Sequence, residues 1–334
     1  MKFGQNDYPF ENKNKFEENF ASDFVSEYIG QSRTWFYYMH AVSTILFGKV
    51  PFKNVLTTGT VLAEDGAKMS KSKGNFPDPK IFIDKYGSDA LRFYLLSSPL
   101  MKSEDLNFSE KGVDEVHKKI ILRLKNVVSF YETYKKESGP VKSVESTNVL
   151  DRWITERLNV VIAEVTTSME AYELNKALVS VDSFIEDVSV WYLRRSRERL
   201  KSENETERSG ALSTFKLILL ELSKLMAPFT PFVAEDVYKT VGGIQESVHL
   251  GSWPTTLVTS VDNVMLLSDM VETRRIVSLA LEARAKAGIK VRQPLAKLFV
   301  KSSSLQNKKE CVELILDEVN VKEIVFDLEI VGEV

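Results

Sequence analysis

Cysteine is almost missing from this chain: Cys311 stands alone among 334 residues. A disulfide framework is excluded. The three histidines, His40, His117 and His249, lie too far apart to make a Cys/His zinc site with that thiol. His40 falls in an aromatic segment and His117 in a charged one, so packed or solvated imidazoles are expected, and no metal site. Long apolar runs are missing too. None reaches the roughly 20 residues a membrane helix needs, and the opening residues, rich in Asn, Lys, Glu and Phe, do not read as a basic region followed by an apolar run. A cytoplasmic protein without a membrane is the expectation. There is no excess of positive charge either: 44 Lys and Arg against 47 Asp and Glu leave a net charge of −3. The whole chain is therefore no basic nucleic-acid binder, although a local stripe of Lys and Arg can still form an electrostatic footprint. No internal repeat and no low-complexity segment is present.

What is present is ordinary globular composition, 43% hydrophobic and 27% charged, at a length that allows two or three cores. Apolar residues at helical spacing from Val25 to Leu46 predict one long helix from Phe20 to Phe47, closed by Gly48 and Pro51. A short β segment follows, 53–62, and then a loop almost without apolar content, 64–75. Pro77 to Pro79 opens another helix, ended by Gly87, with Ser88 or Asp89 capping the next, at 90–96. A polar connector, Glu104 to Phe108, comes next. From Glu115 onward the pattern predicts long amphipathic helices at about 113–136, 148–171, 174–201, 206–226 and 230–240, joined by short connections as in an antiparallel bundle. Pro228 and Pro231 make a sharp corner between two of them. A helix at 268–287 and a strand–helix–strand tail at 297–328 complete the reading.

The most informative residues are Lys68-Met69-Ser70-Lys71-Ser72. Gly66 and Gly74 bracket three lysines and two serines, with Met69 the one bulky residue between them. Such a segment can move, and lysine offers a mobile point charge to anionic oxygens. Serine hydroxyls and free backbone N–H groups add donors. A solvated basic loop is the ordinary reading of such a run taken on composition alone. Upstream, Glu27, Gln31 and Trp35 are spaced four apart and on the expected helix would share one face. A carboxylate, an amide and an indole in line suit a pocket wall, or simple amphipathic packing with the indole in the core. Further along, Arg194, Arg195, Arg197, Arg199 and Lys201 surround Trp191 and Tyr192. This is a solvated helix face in most proteins, or a surface for RNA, with cations on phosphate and an aromatic on splayed bases. Arg284, Lys286, Lys290 and Arg292 make a second basic stretch.

Lys68 to Ser72 matches, letter for letter, the KMSKS signature of class I aminoacyl-tRNA synthetases. The segment Asp23 to Phe36 is similar to the isoleucyl branch, with Gln31-Ser32-Arg33-Thr34-Trp35-Phe36 where that branch has Gln-Thr-Arg-Gly-Trp-Phe; Thr34 is the departure. Asn75 to Pro79 and Tyr86 to Arg92 resemble the region after KMSKS in the isoleucyl, valyl and leucyl group. Trp191 to Arg197 and Leu225 to Phe232 resemble its anticodon-binding helices, and Val248 to Pro254 and Arg284 to Pro294 favour the isoleucyl branch. The implied architecture is mainly α with α/β parts. Residues 1–112 would be the C-terminal half of a Rossmann-type catalytic domain, 113–250 an antiparallel helical anticodon-binding domain, and 251–334 a helix plus a small α/β unit.

The resemblance also implies chemistry. An isoleucine carboxylate would attack the α-phosphate of Mg2+-bound ATP, releasing pyrophosphate, before transfer to tRNA(Ile). Lys68 and Lys71 would stabilise phosphate charge in the transition state, Lys71 most directly. Met69, Ser70 and Ser72 would contact the nucleotide, and Glu27 would line the adenylate. Gln31 and Trp35 would shape the isoleucine pocket, and Trp191, Arg194, Arg195 and Arg197 would bind tRNA. The family's HIGH tetrapeptide, its WFDSG segment and its editing insertion do not occur in this sequence. The expectation is a piece of the enzyme, inactive alone, with an N-terminal catalytic half as a possible partner. A valyl or leucyl piece and a non-catalytic tRNA-binding remnant stand as alternatives.

Overall fold

The computed structural model describes residues 7–138 and 146–329; the side chains of Lys71, Glu137 and Ser138 lie outside that description. The described residues are mostly helical, with three two-stranded parallel pairs among them. It divides into two compact units, one formed by Met1–Leu124, Glu164–Asp182 and Met226–Asp236, the other by Lys125–Ala163, Ser183–Leu225 and Val237–Val334. These cuts pass through helices.

The first unit starts with a short helix, α1 (Lys13–Glu18), which buries Phe16. The long helix expected over 20–47 is not one element. Ser22–Tyr28 is a strand, β1, Ile29–Arg33 is a 3-10 turn, and only Trp35–Phe47 is α-helix, α2. The residues of β1 pair in parallel with Phe52–Thr58, β2, in the register Ser22↔Phe52 to Tyr28↔Thr58. That ladder satisfies backbone groups a helix would have satisfied internally, and it suits the aromatic and β-branched Phe24, Val25 and Tyr28. Helical spacing of apolar residues continued across the strand by coincidence, and tertiary pairing decided the outcome. β1, α2 and β2 form a βαβ unit, in which the helix is the crossover that parallel strands require.

After β2 the chain makes a second, very short strand, β3 (Val61–Leu62), which pairs in parallel with β4 (Leu106–Asn107). Between them lie the basic loop and two helices, α3 (Pro79–Tyr86) and α4 (Ser88–Ser97). Asp78 caps α3 by accepting from the Lys80 N–H at 2.9 Å, as Pro79 in the first turn anticipates. Neither Ser88 nor Asp89 caps α4: Gly87 holds the cap position without a side-chain bond. Asp89 instead reaches the first turn of the helix that follows the corner at 227–231, accepting from the Val233 N–H at 2.6 Å. Arg92, one turn on, donates to the carbonyls of Phe229 at 2.9 Å and Pro228 at 3.0 Å. One helix face thus supplies an acceptor and a donor to the backbone groups that the two prolines leave unbonded.

The long helices appear close to their expected places. Glu110–Val116, α5, runs through a π-helical stretch, His117–Leu122, into Arg123–Ser138, α6. Val149–Glu170 is α7 and Leu174–Glu186 is α8, the latter continuing through a π-helical Asp187–Leu193 into Arg194–Leu200, α9. Glu205–Met226 and Pro231–Val241 are α10 and α11. The next helix, α12 (Val261–Lys286), begins seven residues before its expected start, where Ser260 accepts from the Asn263 N–H. The tail is a second βαβ unit: β5 (Leu295–Val300), α13 (Lys309–Val319) and β6 (Val321–Phe326), with β5 parallel to β6.

The second unit is built around Trp153, Ile154, Leu158, Tyr192, Phe215 and Leu219, all almost without exposure. Inside it lies a polar cluster. Asp151 is 2% exposed and accepts from the Tyr192 hydroxyl at 2.6 Å, from both terminal nitrogens of Arg199, and from Ser146. A buried carboxylate is tolerable only when so fully paired. Burial, first, and the neighbouring Asp151 carboxylate push the Tyr192 phenol well above its ordinary range.

Candidate active-site loop and RNA-facing residues

Parallel strands place their functional loops at their carboxyl ends, where ligands bind in open α/β sheets. Glu27 and Tyr28 stand at that end of β1, opposite Thr57 and Thr58 of β2. The 3-10 turn carrying Gln31 leaves from it directly. Beyond β2 the chain must cross close to another segment. A Cβ on Gly59 would lie 1.7 Å from the Glu104 carbonyl oxygen, so only glycine fits there. The Thr60 N–H is held by the Asp105 carboxylate at 2.9 Å, and Leu106 and Phe108 donate their N–H groups to Thr60 and Leu62. The polar connector around 104–108 is therefore the second wall beneath the basic loop, a role its composition did not announce.

The loop itself is braced rather than free. Leu62 and Lys68 form an antiparallel bridge, and the Ala63 N–H donates to Ala67. Gly66, at φ +80, and Gly74, at φ +65, make the two reversals, positions where other residues would be strained. Asn75 closes the turn: its Oδ1 accepts from the Ser70 N–H at 2.8 Å and its amide donates to the Lys68 carbonyl at 3.3 Å. The Ser70 and Ser72 hydroxyls lie 2.7 Å apart. Lys68 is exposed, while Met69 and Ser70 are half-buried. Lys71 begins a one-turn 3-10 helix through Lys73. Sequence reasoning named Lys68 to Ser72 and missed Asn75, whose signal was an amide directly after the Gly74 reversal.

Glu27, Gln31 and Trp35 do not share a helix face, because they belong to three different elements. Glu27 is exposed on β1. Gln31 folds its side chain onto the start of α2, with Oε1 accepting from the Trp35 N–H at 3.3 Å and from the Thr34 hydroxyl. Thr34, the departure from the family pattern, is thereby bonded to the very amide it follows. Trp35 is 40% exposed and lies parallel to the Phe52 ring at 6.4 Å between centroids.

In the second unit the basic run is largely spoken for. Arg194 and Arg195 pair with Glu318 of α13, and Arg195 also with Asp317 at 3.1 Å. The Arg197 guanidinium sits 5.6 Å over the Phe130 ring, and Arg199 is buried on Asp151. Trp191 is 8% exposed, with Arg274 at 5.4 Å over its face and Asp187 pairing the same arginine at 2.6 Å. Trp191, Arg194, Arg274 and Glu318 border an open groove of about 760 Å³. No cluster of three or more His, Cys, Asp or Glu suited to a metal occurs among the described residues, and no described helix is long and apolar enough to cross a membrane.

This geometry agrees with relationships visible across the chain. The family described as class I tRNA synthetases (I, L, M and V) matches residues 1–109, and the anticodon-binding domain of tRNA ligases matches 151–300. The chain belongs to the class I tRNA synthetase family. Within it, similar proteins include isoleucine–tRNA ligases. That of Chlamydia pneumoniae is 42% identical over 337 residues, covering 98% of this chain and 32% of that protein, and that of Chlamydia caviae is 40% identical over 340 residues with the same coverage. This chain thus spans about a third of the length of those relatives. Two solved structures share the fold: Mycobacterium tuberculosis methionyl-tRNA synthetase in complex with methionyl-adenylate (TM-score 0.62, 19% identity, 77% of this chain and 52% of that chain), and Agrobacterium radiobacter LeuRS in a ternary complex with tRNA and LeuAMS (TM-score 0.57, 23% identity, 73% and 29%).

Proposed function

We propose that this chain provides the phosphate-closing loop and the tRNA-gripping helices of an isoleucine–tRNA ligase, acting in the cytoplasm on isoleucine, Mg2+-bound ATP and tRNA(Ile). The observation that carries the reading is the Asn75-braced Lys68–Ser72 loop, which the chain reaches after the carboxyl ends of two strands held in parallel pairs, β2 and β3. Isoleucine's carboxylate attacks the α-phosphate, and pyrophosphate leaves with the negative charge. Lys68 and Lys71 meet that charge as it develops, and Ser70, Ser72 and the backbone at Met69 hold the nucleotide. A loop anchored at both ends by glycines and one amide can close as a unit, which places donors without reorganising them during the reaction. Glu27 contributes to the polar lining, and Gln31 and Trp35 to the amino-acid pocket. On this reading Gln31 works indirectly as well, by fixing where α2 begins and hence where Trp35 stands. Trp191, Arg194, Arg195 and Arg197 make the RNA-facing surface, with Arg194 and Arg195 exchanging their carboxylate partners for phosphate.

The test is a chimera in which this chain replaces the matching third of the Chlamydia pneumoniae isoleucine–tRNA ligase. Isoleucine-dependent pyrophosphate exchange and tRNA charging are expected, and Lys71→Ala should lower the exchange rate about a hundred- to a thousandfold. A folded chimera that charges valine or leucine in preference to isoleucine would sink the assignment.

A further inference from the structure

Between α12 and β5 lies a loop with an unusual charge pattern. The 15 residues from Ala283 to Lys297 contain Arg284, Lys286, Lys290, Arg292 and Lys297 and no carboxylate, in a chain whose overall charge is negative. Lys286 and Lys297 are exposed and paired, with Glu282 and Glu323. Lys290 and Arg292 are exposed and have no ion pair or side-chain hydrogen bond among the described residues.

Arg284 is the opposite. It is 4% exposed and meets no carboxylate among the described residues. Its Nη2 donates to the carbonyls of Val291, at 3.2 Å, and Gln293, while Nε and Nη1 have no partner among the described residues. Asn320, in the left-handed region at φ 55, donates its amide to the same Val291 carbonyl at 2.8 Å. The Lys290 carbonyl accepts from the Gln293 N–H. Three loop carbonyls are thus engaged within the loop and its supports, and the side chains of Lys290 and Arg292 face solvent. Burying a guanidinium without a counter-charge is costly, and its position in the last turn of α12 offsets that only in part.

We infer that the Ala287–Pro294 loop is an RNA-backbone docking site, with Lys290 and Arg292 contacting phosphates and Arg284 as the positioning residue that shapes the loop. The inference deepens the tRNA reading above and rests on it. Paired surface cations gain little from a phosphate, because a carboxylate must be surrendered first. Unpaired ones on a braced loop gain the full counterion release.

Binding of unfractionated transfer RNA to the full chain, measured by fluorescence anisotropy from 50 to 200 mM KCl, tests it. Lys290→Gln with Arg292→Gln should reduce the slope of log K against log salt by about 1.4 to 1.8, at 0.7 to 0.9 per phosphate contact. The charge-matched control Lys301→Gln with Lys309→Gln should leave it unchanged. Arg284→Met should flatten the slope as the double variant does, because it leaves the Val291 and Gln293 carbonyls without their shared donor; a merely structural arginine would lower the melting temperature and leave the slope alone. An unchanged slope in the double variant, or an equal loss in the control, overturns the docking site while leaving the tRNA reading intact. No binding by the unsubstituted chain overturns both. Loss of adsorption to phosphatidylserine vesicles with tRNA binding unaffected would assign the loop to a membrane surface instead.

Discussion

At the residue scale, the consequences of single side chains follow from what each would leave behind. Replacing Arg199 by Met strands the Asp151 carboxylate in a site 2% exposed, a loss of about 3–5 kcal/mol in urea unfolding. Tyr192→Phe removes one hydrogen bond from the same carboxylate, which retains both arginine nitrogens and Ser146, and should cost only about 1–2 kcal/mol. If the two variants are equally damaging, Asp151 is not held chiefly by the arginine. Cys311 is 2% exposed and its thiol is pushed upward, first by burial. It should resist iodoacetamide at pH 8 in the folded chain and react fully in urea, read by mass spectrometry.

At the scale of elements, two contacts connect local sequence to placement. Asn75→Ala removes both side-chain bonds that close the basic loop. In the chimera described above it should lower the exchange rate about tenfold to a hundredfold, by misplacing the lysines, with the melting temperature almost unchanged. A large fall in melting temperature would show that Asn75 serves the fold instead. Arg92→Leu leaves the Pro228 and Phe229 carbonyls without their donors, and about 1–3 kcal/mol of stability should go with them. The sequence pattern showed α4 and the proline corner separately. Their joining by Asp89 and Arg92 spans more than 130 positions, beyond the reach of any local periodicity.

At the scale of the whole molecule, buried phenols set an alkaline limit. Tyr131 is pushed up to about 12 by burial, and Tyr192 rises for the same first reason. In the unfolded chain both ionise near 10. Their neutral forms therefore contribute stability that is complete below pH 10 and is lost as pH rises from there toward 12. An absorbance titration at 295 nm should show the Tyr131 and Tyr192 phenols ionising only together with loss of helical circular dichroism. A single smooth titration with intact helix would contradict the burial of both rings.

Sequence alone determined the family and singled out the Lys68–Ser72 loop, because a glycine-bracketed pentapeptide of fixed residue types is legible locally. It also determined the long helices between 110 and 241 within a few residues, since an amphipathic period repeated over four or five turns leaves little choice. The strand at Ser22–Tyr28 was decided elsewhere, by pairing with a segment 30 residues away, and with it fell the expected common face of Glu27, Gln31 and Trp35. The same holds for Arg194 and Arg195 of α9, whose carboxylate partners Asp317 and Glu318 arrive more than 120 residues later, and for Arg284. Charge in a sequence shows how many cations there are. Only the tertiary structure decides which are consumed in ion pairs, which are buried on carbonyls, and which remain, like Lys290 and Arg292, to meet a partner, because burial and pairing are properties of distance in space.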